Sequence, residues 1–558
     1  MPEVRDKIKA LETRRRGLDA DYQVMRPVFQ EIRNEMHPTR GRFNVGDQRP
    51  GTGVNKRIID HEHSISRRTL VAGLSAGVTS PSRPWFKLSV FDQGAQEDYE
   101  VKAWLHEVQS RMYDVLKASN IYQMFKQCYG SLADFGVFGG IMVGDFDNII
   151  HTYSFPVGSY VLGQDDKSRV NTMHYSCKKT VQQLVQTFGI ENVSNRVRDA
   201  FKNNRMHDKI TVHHAIEPRL QRDPMSPFAK DMPVASYYWE AGEKDKFLSE
   251  GGYGVNNILA PRWDFMEGEV WPTEWPSLLA LGDTIQLQVQ HRDKAQAIQT
   301  SYKPPMIAPA GHQRRFRHTP GAVTTVNTND LQRGGIRPAI EVRPDVSALI
   351  HDINETKHRI SQAFFKDLFL MTSMSDRRQV TAAEIAERHE EKLIVLGPVL
   401  EILDYELLSK VIEAAFHYMM EANLVPDAPE AMVGMPIKVE YTSLLAQAQK
   451  TIGVAAIERT MGFAGSLAQL RPEVLDNLNP DDMLREFVDQ VGPPPNTLAA
   501  PKDVATLRQQ RAEAQAAAQQ QEQMAAMADT MNKGAGAAKL LSEANERGAA
   551  GLQRGSPL

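Results

Sequence analysis

Apolar residues return at three- and four-residue steps along most of this chain, and the stretches where they stop doing so mark its divisions. Residues 4–36 carry the helical period through Ile8, Leu11, Leu18, Tyr22, Met25 and Phe29. After a Gly-rich stretch at 41–53, a second helical pattern, "NKRIIDHEHSISRRTLVAGLSAGVTSP", runs to Pro81 and Pro84, with Trp85-Phe86 following. The strongest period covers 98–135, through Val101, Leu105, Val108, Met112, Val115 and Leu116. From "FGVFGGIMVGD" to about 265 the texture changes to short β-branched and aromatic runs such as "HTYSFPVGSYVLG" and "PVASYYWE", with one predicted helix near 180–203. These patterns predict an α+β chain that is predominantly helical.

Helices return after "EVWPTEWPS". The pattern at 278–300 predicts a helix of about 34 Å at 1.5 Å per residue, stopped by "KPP" at 303–305 because proline cannot donate to the ladder. Residues 304–344 read as a compact irregular insert with Gly311, Gly321, Gly334, Gly335 and a strand-like "AVTTV". A second helix over 345–371 carries Val346, Leu349, Ile350, Ile353, Ile360, Phe364 and Leu368 on one stripe. Two helices of similar length flanking one small module make a stalk: two legs and a foot. A polar loop, 372–380, interrupts the pattern before Thr381 and Glu384 form a capping box that starts a third helix. Its stripe runs from Leu393 to Ala414, with a bend predicted at Gly397-Pro398. Short helices are expected over 440–490, then a Pro-rich linker, "GPPPNTLAAP". The Ala/Gln-rich helix at 502–531 has no broad apolar face, so it is either solvated or packs against copies of itself; the polar, Gly-rich end reads as mobile.

Composition narrows the function classes. The 558 residues are 41% hydrophobic and 24% charged with a formal net charge of -4, which excludes a strongly basic coat for nucleic acid. Two cysteines, Cys128 and Cys177, imply no disulfide framework and a reducing compartment. The first residues lack a secretory h-region and no apolar run approaches the roughly 18 residues of a membrane span, so a soluble intracellular protein with no membrane contact is expected.

Enzymatic motifs do not emerge. There is no phosphate-loop, His-Glu-x-x-His, Cys-x-x-Cys or Gly-x-Ser-x-Gly signature. His61 and His63, with His213 and His214, are candidate metal ligands, but residues two apart on a helix point to different sides. His389 beside Glu390 and Glu391 reads as a charged helix face, and Arg14 to Arg16 as a solvated face before a phosphate contact. No enzyme, metal or cofactor is expected.

Several stretches together carry a resemblance. "GVNKRIIDHEHSISRRTLVAGLSAGVTSPSRPWFKLSV", with its Ser-Pro-x-x-x-Trp-Phe ending, is one, and "WLHEVQSRMYDVLKASNIYQMFKQCYGSLADFGVFGG" follows it. "KPPMIAP", "VTAAEIAERHEEKLIVLGPVLEILDYELLSKVIEAAF" and "PIKVEYTSLLAQAQK" complete the set. In combination they resemble the portal proteins, the head-to-tail connectors of short-tailed bacteriophages (podovirus type), over about 10–450. The chain carries "EVWPTEW" where the family often has a Tyr-Gly-Arg-Gly-like turn.

The resemblance implies a portal fold. It would comprise a wing (1–277), a first stem helix (278–303), a clip (304–344) and a second stem helix (345–371). A tunnel loop (372–380), a long kinked wing helix (381–430), a crown (431–495), a barrel helix (496–533) and a tail (534–558) would follow. It implies a homo-oligomeric ring of twelve at one capsid vertex of the virion, made in the host cytoplasm. Double-stranded DNA would pass through the ring in packaging and ejection. Terminase motor, tail adaptor, capsid and scaffolding protein would be its partners. The loop residues Ser373, Met374, Ser375, Asp376, Arg377, Arg378 and Gln379 would then face the channel, unless Arg377 or Arg378 pairs between subunits.

A conduit must not grip what it passes, since each neutralised phosphate adds affinity. The first stem helix is near neutral at +1 (Arg292, Lys294 and Lys303 against Asp283 and Asp293). The second is -1, with Lys357, Arg359 and Lys366 against four acids. Arg292, Lys294, Lys357 and Arg359 are the candidate polar face of the stem. The insert is +4: Arg314, Arg315, Arg317, Arg333, Arg337 and Arg343 against Asp330 and Glu341, a basic surface for DNA or acidic partners. Another head or tail adaptor without a channel loop is the alternative reading, followed by a metal-dependent DNA-processing enzyme that metal analysis would reveal.

Overall fold

The computed structural model describes residues 2–43, 58–91, 98–226, 228–302, 306–307, 337–338, 345–370, 396–432, 434 and 436–441, with 460–464, 506–521 and a few single positions beyond. It is a mixed helix-and-sheet chain. Helix α1 (Pro2–Glu35) runs through Pro27 and buries Tyr22, Phe29 and Ile32. The rings of Phe43, Phe135, Trp271 and Trp275 all lie within 6.5 Å of Phe29, so one aromatic knot joins α1 to the middle of the chain. Helix α2 (Glu62–Gly77) follows, then strand β1 (Phe86–Val90).

The single helix expected over 98–135 is two, α3 (Tyr99–Ala118) and α4 (Ile121–Phe135). Ser119 turns extended, and the Asn120 side chain brackets Thr152, donating to its carbonyl (2.8 Å) and accepting from its N–H (2.9 Å). A polar side chain with both a donor and an acceptor gains more here than in a helix interior. Helix α4 closes on Gly136 at φ 69°, the left-handed position glycine favours.

Strands β2 (Gly139–Asp145), β3 (Ile149–Phe155), β4 (Tyr160–Gln164) and β5 (Val170–Thr180) occupy the stretch where alternation replaced the helical period. The one helix expected near 180–203 is also two: α5 (Val181–Phe188), opened by a Thr180/Gln183 capping box, and α6 (Asn195–Lys202), capped by Ser194. Then come β6 (Lys209–Pro218), β7 (Val234–Glu240), β8 (Ser249–Tyr253) and the short β9 (Ile258–Leu259). They form an antiparallel sheet in the order β4-β5-β6-β7-β8 and a smaller one in the order β3-β2-β9.

A helical turn at Pro276–Leu279 leads into α7 (Leu281–Tyr302). Two residue pairs beyond it, β10 (Met306–Ile307) and β11 (Arg337–Pro338), are antiparallel neighbours, so the two ends of the insert run side by side. Helix α8 (Val346–Ala363) starts at Asp345, whose carboxylate accepts from the N–H of Ser347 and Ala348. The expected second helix breaks at Phe365, with φ 53°, before α9 (Lys366–Leu370).

The stretch leading into Gly397-Pro398, where a bend is expected, lies outside the described residues; from 396 the chain is helical to 403 and passes through a π-helical turn at Asp404–Leu408 that continues as α10 (Ser409–Glu421). The turn aims Glu406 at the buried Arg262. Strand β12 (Ile437–Tyr441) pairs antiparallel with β1, Phe86 opposite Tyr441, and so ties the two ends of this body together. One large core runs through these elements, with smaller ones under α5 and α6 and under the start of α1. Residues 506–521 are helical and exposed throughout in the single chain.

Candidate functional site: the base of the two-helix stem

Helices α7 and α8 run antiparallel. Gln290 Nε2 donates to Asp352 (2.6 Å) and to Thr356 Oγ1 (3.0 Å), while Arg359 Nε reaches back to Asp283 (2.9 Å). Polar contacts hold the pair in register because few apolar residues face the seam; Leu287, Ile353 and Ile360 supply the buried ones.

Residues 58–61 lie across the base of this pair. Gln288 Oε1 accepts from the backbone N–H of Ile59 (2.6 Å) and Asp60 (2.9 Å), and its Nε2 donates to the Asp60 carbonyl (3.1 Å). The Asp60 carboxylate meets Lys357 Nζ at 2.7 Å and His291 Nε2 at 3.0 Å. Burial works to raise this carboxyl, but the Lys357 ammonium and the Glu62 N–H outweigh it and hold it below the usual range.

Helix α2 continues from that segment onto the end of α8 and onto α9. Glu62 pairs with Lys366 and accepts from Ser361 (3.2 Å) and Ser66 (3.2 Å). About three turns along, the Phe369 ring lies over Gly73 so closely that a Cβ there would overlap it. The opposite side of α2 is anchored in the core. Arg67 forks onto the fully buried Asp134 of α4, with Nη2 to Oδ2 at 2.9 Å, and His37 and Arg40 lie 3.3 and 3.8 Å from the same carboxylate. Burial pushes His37 down to about 3, so it is neutral, and its Nε2 also lies 3.2 Å from Ser277 Oγ. Burial works to raise Asp134, and the Arg67 and Arg40 guanidinium groups around it hold it low.

The residues singled out in the sequence fall in different places. Lys357 and Arg359 are committed to the ion pairs with Asp60 and Asp283. Arg292 is exposed and Lys294 half-buried on α7. Arg337 sits on β11, while Arg314, Arg315, Arg317, Arg333 and Arg343 lie outside the described residues. So do the loop Ser373, Met374, Ser375, Asp376, Arg377, Arg378 and Gln379, the cap Thr381 and Glu384, and His389. His63 Nε2 bonds the Met36 carbonyl (2.7 Å), and His213 and His214, on opposite faces of β6, bond Ser176 (2.7 Å) and Ser236 (2.8 Å). Among the described residues no group of three or more His, Cys, Asp or Glu converges on a metal position, and no helix is long and apolar enough to cross a membrane.

Sequence reasoning missed Asp60, Glu62, Gln288, Gln290 and Asp134. The legible signals were glycines inside helical patterns. Gly73 admits Phe369, and Gly130 of α4 leaves room for the Arg67 guanidinium.

The sequence has known counterparts. Residues 8–498 match the family described as "Bacteriophage head to tail connecting protein". The chain is 38% identical over 507 residues to the "Probable portal protein" of Bordetella phage BPP-1, covering 90% of this chain and 91% of that one. It is 37% identical over 491 residues to the "Portal protein" of Salmonella phage epsilon15, covering 88% of each. A chain from the "Neck of empty GTA particle computed with C6 symmetry" aligns over 78% of this chain and 96% of its own at 12% identity, with a TM-score of 0.36 that is too low to bear on the fold. Matched over most of its length by the family and by two curated relatives, the chain belongs to the bacteriophage head-to-tail connecting protein family.

Proposed function

We propose that this chain is a portal subunit, a structural and non-enzymatic protein of the virion. It would assemble as a dodecameric ring at one capsid vertex, through which double-stranded DNA is packaged and ejected. Terminase, tail adaptor, capsid and scaffolding protein would dock on it. The observation that carries the reading is the stem. On α7 beyond Gln290, and on α8 before Ile353, no described residue is buried, and Val289, Ile298, Tyr302 and Ile350 stand in solvent. A helical hairpin that buries so little by itself gains its missing contacts from copies of itself, and a closed ring supplies them on both sides.

The charges fit a conduit. Lys357 and Arg359 are neutralised within the chain, which leaves the stem with few cations for phosphate. The basic clip, 304–344, would guide DNA or meet acidic partners at one mouth, and the loop 372–380 would line the channel. The exposed Ala/Gln-rich helix would close into a barrel around the same axis. Single-particle electron microscopy of the purified protein tests the reading: top views with twelvefold symmetry and a central hole support it, and a monomer that stays a monomer in the presence of scaffolding protein refutes it.

A further inference from the structure

We infer that each subunit of the ring lays its β6–β7 connection on the exposed face of helix α1 of the next subunit. The inference rests on the portal reading for the existence of a ring and deepens it by naming one contact that closes it.

The connection, 219–226 and 228–233, is braced from within. Asp223 accepts from the Met225 N–H (3.0 Å), Ser226 Oγ donates to Asp231, and Arg219 Nη2 donates to the Gly251 carbonyl of β8 (2.6 Å). Gly252 of β8 admits the Ala229 carbonyl, which a Cβ there would strike. This bracing holds Leu220 and Met225 each 92% exposed and Phe228 63% exposed. Large apolar side chains fixed in solvent on a shaped loop mark a surface made to be covered. Both carboxylates, Asp223 and Asp231, are used inside the connection, while Arg222 and Lys230 are exposed and pair with no carboxylate; Lys230 Nζ lies 5.5 Å from the centre of the Phe228 ring. The tip is apolar with a cationic rim.

Helix α1 carries the complement. Ala20, Val24, Pro27 and Glu31 recur at three- and four-residue steps on the side opposite the buried Tyr22 and Phe29, and all four are exposed, Val24 at 75%. Pro27 lacks an N–H, so the Gln23 carbonyl loses its helical donor; the proline adds apolar surface where the core of its own chain gains nothing. Asp21 and Glu31 flank this stripe, and neither pairs with a cation of its own chain. The stripe is apolar with an anionic rim.

Their places in the fold make the contact one between copies. The helix crosses the five-stranded sheet from edge to edge: Lys7 pairs with Glu250 of β8 (3.6 Å), Arg14 with Glu217 of β6 (3.2 Å), and Leu18 packs over Gly163 of β4. The stripe that starts at Ala20 therefore lies past the β4 edge, whereas the connection is braced on β8 at the other edge. Four strand spacings of about 4.8 Å put roughly 19 Å between those edges. A head-to-tail contact joins such a pair of unlike surfaces on neighbouring copies, and repeated around an axis it closes a ring.

The experiment reverses the two rims in the full chain and reads assembly by native mass spectrometry. The loop variant carries Arg222→Glu and Lys230→Glu, the helix variant Asp21→Lys and Glu31→Lys. Each sets like charges against one another, so each should raise the chain concentration needed for half assembly by about tenfold or more, with the melting midpoint of the single chain unchanged. Mixed in equal amounts, the two should form rings again with the variants alternating, because an acidic loop then meets a basic helix and a basic loop an acidic one. Rings from either variant alone at the parent's concentration overturn the inference, and so does a mixture that assembles no better than its components. If the helix variant fails to fold, the loop alone decides. Met225→Glu, which sets an acid at the tip against Asp21 and Glu31, should then lose rings at the parent's melting midpoint, and parent-like assembly overturns the contact. A parent that forms no ring even with scaffolding protein removes the portal reading and this contact together, whereas parent rings that the variants match remove the contact alone.

Discussion

Arg262 is fully enclosed, and its surroundings answer every side-chain donor it has. Its Nη2 and Nε meet Glu406, Nη1 donates to Gln164 (3.2 Å) and the Glu269 carbonyl (2.9 Å), Nη2 also to the Ser168 carbonyl (2.7 Å), and the guanidinium lies 3.6 Å from the centre of the Phe265 ring. Removing one partner of such a pair leaves a buried charge unanswered, at about 3–5 kcal/mol. Glu406→Ala should therefore lower the calorimetric melting midpoint sharply, and Arg262→Lys should do nearly as much harm, since an ammonium cannot reproduce the planar fork. Nothing in the sequence pointed to this pair, because its members are 144 residues apart and a lone Arg or Glu carries no period. Titration belongs to the same scale. His37 is driven down to about 3 and His213 to about 4, both chiefly by burial, from an ordinary 6.5. The unfolded chain then takes up protons that the folded one refuses, so stability falls as pH drops from 6.5 toward 4 and below. Asp404, raised by burial to about 6, works the other way: its buried charge is relieved as pH falls from 6 toward 3.8. His37 and His213, joined by His63 and His214, which burial also holds low, outweigh that one carboxyl and give a net loss on acidification. Melting midpoints across that pH range should show it, and His213→Asn should flatten the slope.

Among the elements, helix identity was plain in the periodicity and helix ends were not. Ser119-Asn120, Phe365 and the π turn at Asp404–Leu408 all interrupt apolar stripes that continue on either side, and the cause in the first case is a partner, Thr152, in another part of the chain. The stalk itself could be read from two matched helical patterns and their proline stops. Its polar seam could not, because charge counting gives a sum and not a pairing: Lys357 and Arg359 were visible as cations but not as partners of Asp60 and Asp283. The crossing segment at 58–61 is the element whose removal should matter most. Gln288 answers two backbone N–H groups and one carbonyl of that segment at once. Gln288→Ala leaves them without partners in a partly buried place, which should cost about 1–3 kcal/mol. Amide exchange at Ile59 and Asp60 should rise in this variant while the amides of α4 keep their protection. Equal acceleration in both places would mean that Gln288 supports the whole body and not this crossing.

For the whole molecule the deciding question is what a ring of such chains does to DNA. A duplex passing through a channel meets every subunit, so a cation free on one chain becomes a collar, and each neutralised phosphate steepens the salt dependence of binding by about 0.9 in log–log slope. Within the stem, Lys357 and Arg359 are engaged by carboxylates of their own chain, and that pairing separates two roles the residues would otherwise confuse. If they are structural, Lys357→Ala and Arg359→Ala should lower the stability of the ring and leave its affinity for double-stranded DNA, and the salt slope of that affinity, unchanged. If they face the duplex, the slope should fall with each substitution while the melting midpoint holds. The apolar surface supplies the control. Ile298→Glu and Ile350→Glu alter exposed positions, so each should leave the melting midpoint of the single chain within the roughly 0.5 kcal/mol typical of surface changes, yet reduce ring formation, since their neighbours in the assembly would be the stems of adjacent copies. Measured together by native mass spectrometry, calorimetry and DNA titration at several salt concentrations, the four variants distinguish a channel wall that is held together by charge from one that grips its cargo with it. The ion pairs at the base of the stem predict the first.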